Sequence, residues 1–370
     1  MTDETLITQK ETEPLCDHDW KWISDWYGDP SVINGTADCS YWQCTLCGYE
    51  DYEKEPLLMK RTTTKMSMTL RETICELTTR HLDIGFICAG QCLRAVGNVG
   101  GTIPERPDLT ELPMSDVADG GFVTGMALAG KRPIFVIRYQ GFCWFNMVIS
   151  INYAAKSKAL WGRPCPMLIR AVANEGSIGP VAGSSHHSLF TRMPGIKVFA
   201  PMTPGEWRAA YEEFMTGDDV VYLSEHRGAW GNSEELLPRS SMLIKQPDIA
   251  LFPISITRFS SLEASSELWD EKQISVAVHH VHKLKPFLPS KASLNSLKET
   301  RHGGIIIDDD YPSGVASDIA MQLHALTGAQ MRVLGLEDRT AGFAARVDNL
   351  PPDKLKIKQF IQQICGEMKT

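Results

Sequence analysis

From Thr69 onward the apolar positions change period repeatedly, and each change marks an element. TLRETICELTTRHL places Leu70, Ile74 and Leu77 four and three residues apart, which is one face of a helix. The apolar run IGFICAG follows it as a strand. RPIFVIR (132–138), CPMLIRAV (165–172), IKVFAP (196–201) and DVVYLSE (219–225) are short, β-rich runs without strict alternation, with helical stretches between several of them. Runs of this kind are expected of parallel strands buried on both faces. After a polar, proline-bearing stretch from Pro238 to Gln246 the pattern resumes in DIALFPI, ISVAVHHVH and GGIIIDD. The alternation predicts an α/β protein in two domains, 61–240 and 241–370, with the boundary near Ser240. Residues 1–60 are rich in Asp, Trp, Tyr and Cys and lack long apolar periodicity, so they need a staple to fold.

Composition narrows the class. With 43% hydrophobic and 22% charged residues over 370 positions, the chain reads as an ordinary globular protein with room for more than one core. A net charge of -8 argues against a nucleic-acid partner, because phosphate binding needs a basic surface. No apolar run reaches the roughly 18 to 20 residues of a membrane span. The acidic start, MTDETLITQKETEPL, lacks the plan of a signal peptide, which predicts a cytoplasmic protein. The ten cysteines are then expected as reduced thiols or metal ligands.

Four of those cysteines fall in the first 47 residues. Cys16-Asp-His18 and Cys44-Thr-Leu-Cys47-Gly48 together supply a tetrahedral shell for a structural Zn2+, with Cys39 able to replace Cys16 or His18. The competing reading is a cluster of buried thiols without a metal. A metal would also explain how the segment holding Trp20, Trp22, Trp26 and Trp42 folds at all.

Three further stretches carry polar chemistry. PMSDVADGGF sets Asp116 and Asp119 where a loop turns into a glycine-rich helix, either as a cap or as part of a site. GSSHHSLF puts His186 and His187 in a loop of small residues, a candidate acid–base position or a solvated one. His279, His280 and His282 lie on a predicted strand that divides them between two faces, which favours packing over a metal site. No phosphate-binding motif is present: there is no P-loop and no G-x-G-x-x-G after a strand.

Taken in order, the segments resemble the β subunit of the thiamine-diphosphate-dependent 2-oxo acid dehydrogenases, the E1 component, within the transketolase superfamily. ICAGQ with VGNVGG resembles that family's first strand and glycine-rich loop, and SDVADGGFVTGMALAGKRPI its S-E-x-G-F-x-G-x-A-x-G-A-A-x-x-G-x-R-P stretch. INYAAKS corresponds to its N-x-A-A-K helix, HHSLF to its H-S-Q loop, and MPGIKVFAP to P-G-L-K-V-x-x-P. VAVHHVHKLKPF extends the likeness, which covers about residues 65 to 365.

The resemblance implies two doubly wound domains, pyrimidine-binding and C-terminal, behind the zinc-ribbon-like segment. It implies thiamine diphosphate shared with an α-type subunit that holds Mg2+ and the diphosphate, in an α2β2-like assembly with a homodimer of this chain at its centre. A 2-oxo acid is the implied substrate, or a ketose in a split transketolase-like or acyloin-forming enzyme. Asp116 falls where the family has the glutamate that meets N1' of the aminopyrimidine, Gly90 and Gln91 at the end of the first strand are implied to bind the cofactor with it, and Phe142 is either a stacking ring or a core aromatic. His187, with His186 beside it, matches the active-site histidine. Aspartate for glutamate at 116 and Leu189 for the family glutamine depart from the pattern and imply the other reading, a non-catalytic scaffold subunit.

Overall fold

The computed structural model describes strands at 20–23, 41–44 and 50–51 and residues 67–174, 181–238, 246–341 and 349–366. The chain divides into two compact units, Met1–Thr64 and Lys65–Thr370. In the first, β1 (Trp20–Ile23), β2 (Tyr41–Cys44) and β3 (Glu50–Asp51) pair antiparallel in that order. Of the candidate zinc ligands, Cys16, His18 and Cys47, with Cys39, lie outside the described residues, and Cys44 is described only as the last residue of β2.

The second unit alternates helix and strand. It runs α1 (Leu70–Asp83), β4 (Cys88–Gln91), α2 (Ala95–Gly101), β5 (Thr110–Leu112), α3 (Asp116–Leu128), β6 (Ile134–Ile137), α4 (Cys143–Ile149), α5 (Ala155–Trp161) and β7 (Leu168–Ala173). There follow α6 (Ser188–Thr191), β8 (Ile196–Phe199), α7 (Pro204–Thr216), β9 (Val220–His226), β10 (Ile249–Pro253), α8 (Thr257–Lys272), β11 (Val276–Val278) and β12 (Lys283–Lys285). The last elements are α9 (Lys291–Glu299), β13 (Gly304–Ile307), α10 (Val315–Thr327), β14 (Met331–Leu334) and α11 (Lys354–Gly366). A π-helical turn, Ser150–Ala154, joins α4 to α5.

Seven strands form one sheet in the order β12-β8-β9-β7-β6-β4-β5, and four form another in the order β11-β10-β13-β14. All neighbours are parallel except β12 on β8. The uninterrupted apolar runs are explained by burial on both faces. Ile134 and Val136 of β6 pack with α1 and α7, whereas Phe135 and Ile137 pack with α3 and α5. In the smaller sheet Leu251 and Ile305 meet α8 and α11, while Phe252 and Ile306 meet α10 in the same core that backs the larger sheet. That shared core joins the two sheets into one unit.

Two expectations need correction. ISVAVHHVH is not one strand: β11 stops at Val278, and the chain past His282 crosses to the larger sheet as β12. The second half of the chain therefore lends an edge strand to the first. The histidines between these strands pack as expected, His279 against Phe252 with ring centroids 5.2 Å apart and His280 accepting from Arg258 Nε at 3.3 Å. The VGNVGG segment is not an open loop but the short turn α2, in which every residue from Gly97 to Gly101 has positive φ, including Val99 at 46°. Among the described residues no helix is long and apolar enough to cross a membrane.

Candidate functional site

In open parallel sheets the polar, ligand-facing residues collect at the carboxyl ends of the strands, where loops diverge and helix N-termini are exposed. The candidate residues follow this rule. Gln91 ends β4, Asp116 opens α3 just after β5, Gln140 follows β6, and His186 and His187 follow β7. Ser224 and His226 close β9, Ser255 follows β10, and Asp308, Asp309 and Asp310 follow β13.

The first group centres on Asp116. Its Oδ1 accepts from Gln91 Nε2 at 3.2 Å and from Asn146 Nδ2 at 3.1 Å. Gln91 Nε2 also donates to Asp119 Oδ2 at 2.5 Å. Asp119 is buried within the first turn of α3, and Asp116 stays half-exposed. Asn146 donates as well to the carbonyl of Phe142 at 3.2 Å, and its own Oδ1 is buried without a partner. The Phe142 ring is half-buried against the core. Gly90 is set by packing, since a Cβ there would lie 2.5 Å from the carbonyl oxygen of Val136. Asn146 escaped the sequence reading, although a lone amide in the apolar run CWFNMVI was the signal.

The two adjacent histidines face different surroundings. His186 is partly exposed and meets the ring of Trp144 edge-on at 5.9 Å. Its backbone N–H donates to Gln140 Oε1 at 2.6 Å, and Gln140 Nε2 donates to Ser224 Oγ at 2.7 Å, so the loop is tied to the same 140–149 stretch that carries Asn146. Burial holds the His186 pKa below its usual value.

His187 is fully buried. Its Nδ1 lies 3.2 Å from Ser224 Oγ and its Nε2 3.0 Å from Asp308 Oδ1. Burial alone would lower its pKa, but the carboxylates, Asp308 foremost, outweigh that and push it up to about 10. Asp309 accepts from Ser185 Oγ at 2.6 Å and Ser255 Oγ at 2.8 Å through Oδ2, and burial raises its carboxyl to about 7. The run IIIDDDY at the end of an apolar strand was a visible signal for this second group, and it was not read as one.

Known proteins share parts of this sequence and its fold. Residues 105–232 match the family described as transketolase, pyrimidine binding domain. The chain is 27% identical over 234 residues to the β subunit of acetoin:2,6-dichlorophenolindophenol oxidoreductase of Cupriavidus necator, covering 58% of this chain and 66% of that one. It is 24% identical over 248 residues to the pyruvate dehydrogenase E1 β subunit of Staphylococcus epidermidis, covering 64% and 74%. In fold it is similar to a split-gene transketolase solved as an inactive β4 tetramer, with a TM-score of 0.63 and 16% identity over 81% of this chain and 99% of that one. Residues 105–232 thus match a transketolase pyrimidine-binding domain, and the chain around them is similar to the β subunits of the E1 and acetoin enzymes.

Proposed function

We propose that this chain is the β-type subunit of a heteromeric thiamine-diphosphate enzyme that cleaves the bond next to a ketone carbonyl, with a 2-oxo acid as substrate. The observation that carries the reading is the half-exposed Asp116 carboxylate, fixed through Oδ1 by Gln91 and Asn146 at the carboxyl end of the sheet. Its neighbours fit the aminopyrimidine in kind: a carboxylate, the partnerless amide oxygen of Asn146 and the ring of Phe142. When bound, the cofactor supplies an electron sink for the charge released as the bond breaks. Asp116 would hold a proton against N1' of the pyrimidine, with Gln91 and Asn146 keeping the carboxylate in place. His186 is the histidine of the pair that can meet substrate, and His187 positions the loop beneath it.

Aspartate is one methylene shorter than the family glutamate, about 1.5 Å. Misplacement of about 1 Å can lower a rate roughly a hundredfold. This shortening and Leu189 favour a second reading, a scaffold that keeps the fold without the chemistry. The absence of a diphosphate-binding motif supports an α-type partner that holds Mg2+ and the diphosphate. Cys16, His18, Cys44 and Cys47 would hold a structural Zn2+ apart from the reaction.

Native mass spectrometry of the protein purified from its own cells tests the assembly, with a heteromer containing an α-type chain and thiamine diphosphate expected. Within that heteromer Asp116→Ala should lower turnover at least about a hundredfold, and Asp116→Glu should keep or raise it. Turnover that survives Asp116→Ala overturns the role of that residue. A complex silent with either acid at 116 establishes the scaffold.

A further inference from the structure

His187, Asp308 and Asp309 offer one imidazole nitrogen and two carboxylate oxygens that all lie within 4.8 Å of one another, and all three side chains are buried. We propose that they hold a divalent transition-metal ion that staples the H-H-S loop to the carboxyl end of β13. This set shares no residue with the Asp116 group or with the N-terminal cysteines. The inference stands apart from the thiamine reading, since a scaffold would keep the ion equally well.

The donor geometry comes first. Divalent first-row ions take imidazole nitrogen and carboxylate oxygen at about 2.0 to 2.2 Å, which sets adjacent donors about 3 Å apart. His187 Nε2 and Asp308 Oδ1 are 3.0 Å apart. A metal needs the Nε2 lone pair, which the tautomer that donates its Nδ1 proton to Ser224 Oγ would supply. Two acceptors that close require a positive charge between them, either a proton or a metal ion.

Asp309 decides between the two. Its Oδ1 is buried with no hydrogen-bond partner, while Oδ2 is held by Ser185 and Ser255. A proton on Nε2 serves Asp308 alone, whereas an ion held by His187 and one oxygen of each aspartate would serve all three groups. Asp310 adds a third buried carboxylate, its Oδ2 4.0 Å from His187 Nε2. Among the described residues these aspartates form ion pairs only with histidines, His226 standing 3.9 Å from Asp309. Burying three carboxylates against histidines alone is costly unless a metal joins them. One imidazole with carboxylates and no thiolate suits manganese, iron or zinc. Ser224, Ser185 and Ser255 are the outer partners that hold such ligands in orientation.

Elemental analysis of the full-length protein, purified as it comes from the cell, tests the site. Asp309→Asn should lower the content of first-row metal by about one ion per chain, and Cys44→Ser/Cys47→Ser should leave that ion in place. Should Asp309→Asn fail to fold, the cysteine variant answers alone: its melting temperature should fall by several degrees in EDTA and return with Mn2+, because an ion bound only to the native state stabilises it. A cysteine variant that holds no metal and melts identically in Mn2+ and EDTA overturns the proposal. An Asp309→Asn protein that keeps its full metal content does the same.

Discussion

Single residues here act mostly through burial. His81 is fully buried, with Nδ1 3.0 Å from Tyr211 Oη and Nε2 2.8 Å from the Arg132 carbonyl. Burial lowers its pKa from 6.5 to about 4. The unfolded chain therefore takes up a proton that the folded one refuses, so the contribution is present above pH 6.5 and is lost as pH falls toward 4. The loss amounts to about 3 kcal/mol. Melting temperatures across this window should fall more steeply for the unmodified protein than for His81→Gln. A second buried group is the ion pair of Arg170 with Glu225, at 2.8 and 2.9 Å, with Thr102 Oγ1 also bonded to the guanidinium at 2.9 Å. Arg170→Ala strands the carboxylate and should cost about 3 to 5 kcal/mol in urea unfolding, whereas Arg170→Met with Glu225→Leu should recover much of it.

At the scale of elements, β4 shows how packing and site coincide. Gly90 sits where β4 and β6 approach, and an added Cβ would meet the Val136 carbonyl oxygen at 2.5 Å. Gly90→Ala should therefore lower stability by about 1 to 3 kcal/mol, read by thermal unfolding without any cofactor present. The strands themselves were legible because burial on both faces writes an uninterrupted apolar run. The break in ISVAVHHVH was not, because Val278 and Val281 are both buried and only partner choice separates β11 from β12. The left-handed turn of α2 was equally hidden: three glycines permit positive φ, but Asn98 and Val99 adopt it as well.

For the molecule as a whole, the exposed aromatic face is the telling feature. Phe122 on α3, Trp144 and Phe145 on α4, and Tyr153 in the turn beyond lie about half open to solvent. They sit on or beside the elements that carry Asp116 and Asn146, where exposed apolar side chains suit the subunit contact of the proposed heteromer. Phe145→Lys should reduce the assembly to smaller species in sedimentation velocity while leaving the circular dichroism unchanged.

The sequence by itself determined the α/β class and the order of most strands, because apolar period is a local property, and it singled out Asp116 through an ordered set of motifs. Only the tertiary structure paired Asn146 and Gln91 with Asp116, separated His186 from His187 in surroundings, and brought Asp308 and Asp309 against His187 from more than 120 positions away. Those relations depend on which strand ends meet across two sheets, and no local pattern records that.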